Sequence, residues 1–208
     1  SREGGRVRLV ATDGHRLSYA RRKAAIALGE AQRVLVPRKA IHELARLLEG
    51  ENEVVFQQSE NHLVFTVGGR TLSSKTIEGQ FPAFEKVITI AGGKVAELDR
   101  EKLTAAIRRV SLLSAERNRA VKLALGAEKL EVSASSPDLG EARESLAAAY
   151  AGDPVEIGFN AQYLLDFLAV AGTETVLLEL KDGESQGVLK PAGESDTDNR
   201  YIVMPMRL

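Results

Sequence analysis

The chain has 208 residues with a formal net charge of -1; 44% are hydrophobic and 27% charged, so apolar surface sufficient to offset ordering entropy excludes disorder over most of its length. No apolar run approaches the ~20 residues that a membrane helix needs, and the absence of cysteine excludes a disulfide framework, a thiol nucleophile and a thiolate metal site. At roughly 100–200 residues per domain, the length fits one large domain or two small ones.

Charge is unevenly spread. Residues 1–90 carry 14 Lys and Arg against 10 Asp and Glu; the remainder carries 14 against 19. A bulk charge near zero gives no overall pull toward a polyanion, so any nucleic-acid contact needs a local basic surface. The opening residues, Ser1-Arg2-Glu3-Gly4-Gly5, carry no signal-peptide pattern, and cytoplasmic residence is the expectation.

In chain order, Val7 to Thr12 and Arg16 to Ala20 read as a hairpin about the Asp13-Gly14 turn. A strand at Val34-Leu35-Val36 then leads into a helix that begins at Pro37 and runs to about Glu49. Three strands follow, at 53–58, 62–67 and 70–76. The same order recurs twice. Val95 to Leu98 precedes a helix from Arg100 to Ala115 and strands near 119–125, 128–134 and 141–149. Val155 to Gly158 precedes a helix from Ala161 to Ala171 and strands near 174–180, 185–190 and 200–206. Each copy is strand-helix-strand-strand-strand, with a period of ~50–60 residues. The opening hairpin is either the tail of a fourth copy, in which case the natural protein continues upstream of Ser1, or a free-standing hairpin packed on the first full copy. A boundary is expected at Ile90-Ala91-Gly92-Gly93.

Each helix has a buried side. Ile41, Leu44 and Leu48 define it in the first, and Leu103, Ile107, Val110 and Ser114 in the second; Leu164, Phe167 and Leu168 define it in the third. Proline suits the first turn of the first helix. Asp99 and Asn160 are expected to cap the other two, and Gly172 to end the third. Arg38, Lys39, His42 and Arg46 lie off the first stripe, and Arg100, Lys102, Arg108 and Arg109 mostly off the second. Asp166 is the only charge in the third helix.

Signals for catalysis are thin. His15, His42 and His62 have no second ligand at metal spacing, and neither a phosphate-binding glycine loop nor a dinucleotide fingerprint is present. Asp196 and Asp198, in the loop 193–199, read either as a divalent-cation site or as a solvated acidic hairpin. Asp13-Gly14-His15-Arg16 invites a catalytic reading, since His and Arg polarise substrates, but turn chemistry accounts for Asp-Gly. The apolar ending, Tyr201 to Leu208, is either a last core strand or one wall of a peptide groove, for which two flexible methionines are suited.

Leu9 to Leu17 (LVATDGHRL) and Tyr201 to Leu208 (YIVMPMRL) resemble the bacterial beta sliding clamp family, the processivity factors of replicative DNA polymerases. Val36-Pro37-Arg38-Lys39, Gly79-Gln80-Phe81-Pro82 and Ile157-Gly158-Phe159-Asn160 match in the family's order, so the resemblance covers essentially the whole chain. It implies an α+β fold of clamp domains built from such units, with antiparallel sheets outside and helices toward a DNA channel. Residues 1–91 would be the later half of the middle domain, and 92–208 the complete C-terminal domain.

The implied activity is non-enzymatic and needs no cofactor or metal. Two subunits close into a homodimeric ring around duplex DNA, held by sequence-blind contacts, and tether polymerase at high effective concentration. Channel candidates are Arg38, Lys39, Arg46, Arg100, Arg108 and Arg109, and the candidate dimer contact is Leu112 and Leu113.

The resemblance further implies an inter-domain groove for linear motifs of polymerase, clamp loader and repair proteins. It would be lined by Thr12, Gly14, His15, Arg16 and Leu17; by Pro82, Lys86 and Val87; by Asn160 and Tyr163; and by Ile202, Val203, Met204, Pro205, Met206, Arg207 and Leu208. Leu17, Val87, Val203 and Met204 would form apolar pockets, and His15, Arg16, Asn160 and Arg207 would orient polar groups. Asn118 at the rim, with Glu184 and Gln186 in the facing hairpin, departs from the family pattern toward polarity.

Overall fold

The computed structural model describes residues 2–3, 5–23, 33–89, 93–114, 119–193 and 195–207. The boundary stretch Ile90 to Gly92, together with Ala115, Asn118, Glu194 and Leu208, lies outside the described residues. Contacts group the chain into two units, one of residues 1–4 and 27–83, the other of residues 5–26 and 84–208. This differs from a linear division at residue 91, because the opening hairpin joins the last strand of the chain.

In the first unit, a two-residue strand β1 (Arg2–Glu3) precedes helix α1 (Arg38–Leu47) and strands β4 (Val55–Gln58), β5 (His62–Val67) and β6 (Arg70–Lys75). β4, β5 and β6 form an antiparallel sheet in that order. The expected strand at 34–36 does not form, although Ile77 N–H donates to the Leu35 carbonyl. Pro37 occupies the cap position of α1 rather than its first turn. The inward stripe also differs from expectation. Ala40 is buried and Leu44, Leu47 and Leu48 are half-buried, whereas Ile41 is 40% exposed. A stripe starting at Ala40 follows i, i+4, i+7, i+8, and Ile41 falls beyond its edge.

The second unit opens with the hairpin β2 (Arg6–Thr12) and β3 (Arg16–Lys23). Two complete repeats follow. One is β7 (Lys94–Asp99), α2 (Arg100–Ser111), β8 (Ala120–Gly126), β9 (Lys129–Ser136) and β10 (Gly140–Ala147). The other is β11 (Val155–Asn160), α3 (Ala161–Val170), β12 (Thr175–Leu180), β13 (Gly187–Pro191) and β14 (Thr197–Val203).

The repeats exchange their first strands. β7 leaves its own repeat to pair with β12, and β11 leaves its own to pair with β8. The result is one sheet ordered β10-β9-β8-β11 and another that runs β2-β3-β14-β13-β12-β7. Between them lies one core, which includes Leu103, Ile107 and Val110 of α2 and Leu164, Phe167 and Leu168 of α3. The inner strand faces contribute Leu98, Leu123, Leu130, Ile157, Phe159, Leu178 and Val203. The helix ends follow local chemistry. Asp99 and Asn160 accept from the N–H groups of Lys102 and Gln162, each at 2.9 Å, and Gly172 sits at φ +70° just past α3.

Candidate functional site

The turn between β2 and β3 is built by its own side chains. Asp13 Oδ1 accepts from the backbone N–H of His15 and Arg16, at 3.0 and 3.1 Å. Thr12 Oγ1 donates to the Arg16 carbonyl at 2.7 Å and accepts from Gly14 N–H. Gly14 adopts φ +89°, a conformation that costs a side-chain-bearing residue. The Asp-Gly pair therefore does turn work, as its chemistry suggested. Asp13 also aims Arg16, because its Oδ2 accepts from Arg16 Nε at 3.0 Å.

Arg16 gathers partners from distant segments. Its Nη1 donates to Asp166 Oδ2 of α3 at 2.5 Å and to the Tyr201 hydroxyl of β14 at 3.0 Å. Its guanidinium lies over the Tyr163 ring, 4.3 Å from the centroid, and Tyr201 in turn stacks on Phe167 at 5.4 Å. Asp166 also accepts from the Gln162 side chain at 2.7 Å. Burial opposes charge on Arg16, but hydrogen bonds from it to Asp166, Tyr201 and Asp13 outweigh that and raise its pKa. At Asp13 and Asp166 burial likewise raises the pKa, and hydrogen bonds led by His15 N–H and Arg16 respectively prevail, holding both below the ordinary value. Burial moves Tyr201 upward against the Arg16 hydrogen bond.

The tail joins this end of the sheet. β14 pairs with β3 in register, Val203 opposite Arg16 and Ile202 opposite Leu17. Beyond Val203, Met204 N–H donates to the His15 carbonyl at 2.9 Å, and Met206 N–H donates to the Gly158 carbonyl of β11 at 2.8 Å. His15 and Arg207 are exposed, Met204 is 36% exposed, and Pro205 and Met206 are half-buried. The tail is thus tied down at Met204 and at Met206, and still presents side-chain surface.

Strand alternation corrects one expectation. Val203 is fully buried and belongs to the core facing α3, so it is no pocket wall. Directly opposed residues of an antiparallel pair share a face, which puts Ile202 with Leu17 on the other side of the sheet. There Leu17 and Ile202 are also closed over, at 6% and 0% exposure. On that same face Tyr19 meets the ring of Phe84 at 6.3 Å, and Val87 N–H donates to the Phe84 carbonyl. Arg200 anchors this segment by donating to the Ile88 carbonyl at 3.1 Å. Lys86 is exposed and Val87 half-buried. Pro82 is exposed in the first unit.

Asn160 is the cap of α3, so its side-chain oxygen already serves a backbone N–H. The hairpin before β13 reaches the tail through Gly187, which pairs with Val203. Asp182 organises it by accepting from the N–H groups of Glu184 and Ser185. Asp198, expected in the acidic loop, lies in β14 and is held by Arg200 at 2.9 Å and Arg21 at 3.1 Å. Among the described residues no group of three or more His, Asp or Glu could hold a metal ion, and no helix is long and apolar enough to cross a membrane.

The basic candidates differ in engagement. Lys39 and Arg108 are exposed and carry no ion pair among the described residues. Arg38 Nε lies 3.4 Å from His42 Nε2, and Arg46 pairs with Glu43 at 3.2 Å. Arg100 Nε donates to the Thr173 carbonyl at 2.7 Å, and Arg109 forms a two-point pair with Glu144, its Nη2 at 2.7 Å. Arg100 and Arg109 therefore hold structure as well as charge. Leu112 is 76% exposed just past α2, while Leu113 is half-buried. Sequence reasoning singled out Asp13 with the turn and Tyr201 with the tail but joined neither to Arg16, and it gave Asp166 no role beyond being the lone charge of its helix.

Repeated strand-helix-strand-strand-strand units and interlocked antiparallel sheets define a clamp-type fold. The chain belongs to the DNA polymerase III beta subunit family, whose central domain matches residues 1–83 and whose C-terminal domain matches residues 86–207. A beta sliding clamp of Pseudomonas putida is 42% identical over 203 residues, 97% of this chain and 55% of the relative. That of Escherichia coli is 36% identical over 210 residues, 99% of this chain and 56% of the relative. The crystal structure of the DNA polymerase sliding clamp from Pseudomonas aeruginosa superposes with a TM-score of 0.93 at 42% identity, covering 99% of this chain and 57% of that one. Another clamp structure from that organism, bound to griselimycin, gives 0.92 at the same identity, over 99% of this chain and 55% of that one. The chain thus spans a little over half the length of the curated relatives it matches.

Proposed function

We propose that this chain forms the later part of a sliding clamp subunit that performs no bond chemistry. Residues 1–91 serve as the later half of its middle domain and residues 92–208 as its C-terminal domain. The full-length protein closes as a cytoplasmic homodimeric ring around duplex DNA and tethers the replicative polymerase. Arg38, Lys39, Arg46 and Arg108 supply phosphate contacts that carry no sequence information, with Arg100 and Arg109 contributing charge nearby. Leu112, an exposed apolar side chain, serves the subunit contact, with Leu113 behind it.

A groove for linear motifs of polymerase, clamp loader and repair proteins forms about the Thr12–Leu17 turn, Lys86 and Val87, Asn160 and Tyr163, and the tail residues Ile202 and Met204 to Arg207. The observation that carries this reading is the docking of Met204 on His15 and of Met206 on Gly158, which brings the tail to the hairpin turn. An extended peptide placed there reaches Met204 and Val87 as partly open apolar contacts, with Leu17 and Ile202 beneath. Apolar burial at ~25 cal/mol per Å², reduced by ordering costs, suits micromolar binding, and partners can then exchange on one clamp.

The test is deletion of Met204 to Leu208, followed by calorimetric titration with a polymerase-derived peptide and by circular dichroism. Loss of binding in a folded protein supports the groove. Full affinity in the truncated, folded protein assigns the tail to the core alone.

A further inference from the structure

The Arg16 cluster contains more negative than positive charge, and this bears on what the groove accepts. Arg16 is flanked by two carboxylates, Asp13 at 3.0 Å and Asp166 at 2.5 Å. With one guanidinium and two carboxylates the cluster is net negative by one. Five N–H donors fan out from a guanidinium. Nε is used by Asp13, and Nη1 serves both Asp166 and Tyr201. Nη2 makes no hydrogen bond among the described residues, and it is not among the side-chain atoms sealed from solvent without a partner. Stacking on Tyr163 fixes the plane in which that amino group points.

We propose that Asp166 is a positioning residue of the motif groove, which together with Asp13 and Tyr201 locks Arg16 so that Nη2 alone is offered to the ligand, and that the group it takes is a neutral carbonyl oxygen rather than a carboxylate. This rests on the groove reading above. The physical argument is one of sign and entropy. A free arginine attracts any anion, whereas one already compensated by two carboxylates presents a directed hydrogen bond inside a negative field. An incoming carboxylate loses its water and meets two like charges. A carboxamide or backbone carbonyl accepts the same hydrogen bond without that repulsion. Locking the side chain beforehand removes the ordering cost that a mobile arginine brings to binding.

The experiment uses synthetic polymerase-derived motif peptides that differ only in carrying Gln or Glu at a single position, each position being substituted in turn. They are titrated calorimetrically into the wild type, Asp166→Asn, Arg16→Gln and the double variant, with circular dichroism as the folding control. Asn is isosteric with Asp; its one amide oxygen accepts from Arg16, and the Gln162 side-chain amide can turn its own oxygen to accept from the Asn amine, so the fold is retained. At the position adjoining Arg16, the wild type should prefer Gln about tenfold, the size of one charge-assisted interaction. Asp166→Asn should bind the Gln peptide several-fold more weakly, with the preference falling toward unity as the cluster becomes neutral. In the Arg16→Gln background, Asp166→Asn should leave the affinity for the Gln peptide unchanged.

A purely structural role would lower affinity in both backgrounds and leave the Gln-to-Glu ratio untouched, which overturns the proposal. Equal wild-type binding of the Gln and Glu peptides at every position, or full affinity and preference in Asp166→Asn, overturns it as well while leaving the groove intact. Failure of the wild type to bind any of the peptides overturns the groove itself, and the proposal with it.

Discussion

At Arg16 the turn, the last strand and the third helix meet on one side chain. Asp13 secures the backbone turn and the guanidinium together, and Asp166 holds the other edge. Both aspartates sit below the ordinary carboxyl value of 3.8. A depressed carboxyl contributes stability that is complete above its unfolded-state pKa and is lost as pH falls through the lower, folded-state value. Urea midpoints should therefore decline as pH drops below about 4. They should decline less in Asp13→Asn and Asp166→Asn, whose neutral amides have no proton to gain. Superimposable acid profiles in the three proteins would show that the Arg16 cluster is not formed in solution. The Asp-Gly turn was legible from residue types alone. The Arg16–Asp166 pair was not, because its partners lie 150 residues apart.

The helices and the hairpin before β13 show how far local chemistry reaches at the level of elements. Asp99 and Asn160 cap where expected, because a short polar side chain beside an apolar stripe is a self-contained signal. Replacing Asp99 with Ala should lower stability by about 1 kcal/mol in denaturant melts. α1 is the counter-example. Its stripe takes in Ala40 and Leu47 and leaves out Ile41 while Leu44 and Leu48 stay on it, so the buried face is turned by only part of the ~100° between successive residues. The neighbouring strands decide such a rotation. Gly187 is another position that tertiary contact explains. A Cβ there would lie 2.7 Å from Phe159 Cζ and 3.2 Å from Leu180 Cδ2, both core residues. Gly187→Ala should cost about 1–3 kcal/mol by overpacking, measured by thermal unfolding. An unchanged melting curve would mean that the Phe159 ring has room to move.

For the whole molecule the expectations concern assembly and DNA. Replacing Arg38, Lys39, Arg46 and Arg108 with Ala in the full-length protein should weaken duplex binding equally for all sequences. It should also flatten the dependence on salt, since fewer counterions are released. Loss confined to one sequence with an unchanged salt slope would contradict a sliding channel. Arg100 and Arg109 are poorer choices for this test, because Arg100 ties α2 to the loop after α3 and Arg109 ties it to β10. Leu112→Glu in the full-length protein should shift light scattering from dimer toward monomer, as a charge on an exposed apolar contact desolvates badly. A dimer of undiminished stability would place the subunit contact elsewhere.

Period, turn residues and helix ends were determined by the sequence itself, because each depends on residues a few positions apart. The strand-helix-strand-strand-strand repeat, the β2-β3 hairpin and the caps of α2 and α3 are of this kind. The tertiary structure decided what joins what. β7 and β11 each leave their own repeat for the other's sheet, and β3 adds to β14 across the length of the chain. Edge strands offer the same unpaired N–H and C=O groups to any partner, so strand sequence leaves the choice open and burial of the opposite face settles it. The same cause put Val203 in the core and Ile202 on the Leu17 face. Alternation along β14 fixes that the two differ, and only the helices packed on one side determine which of them turns inward.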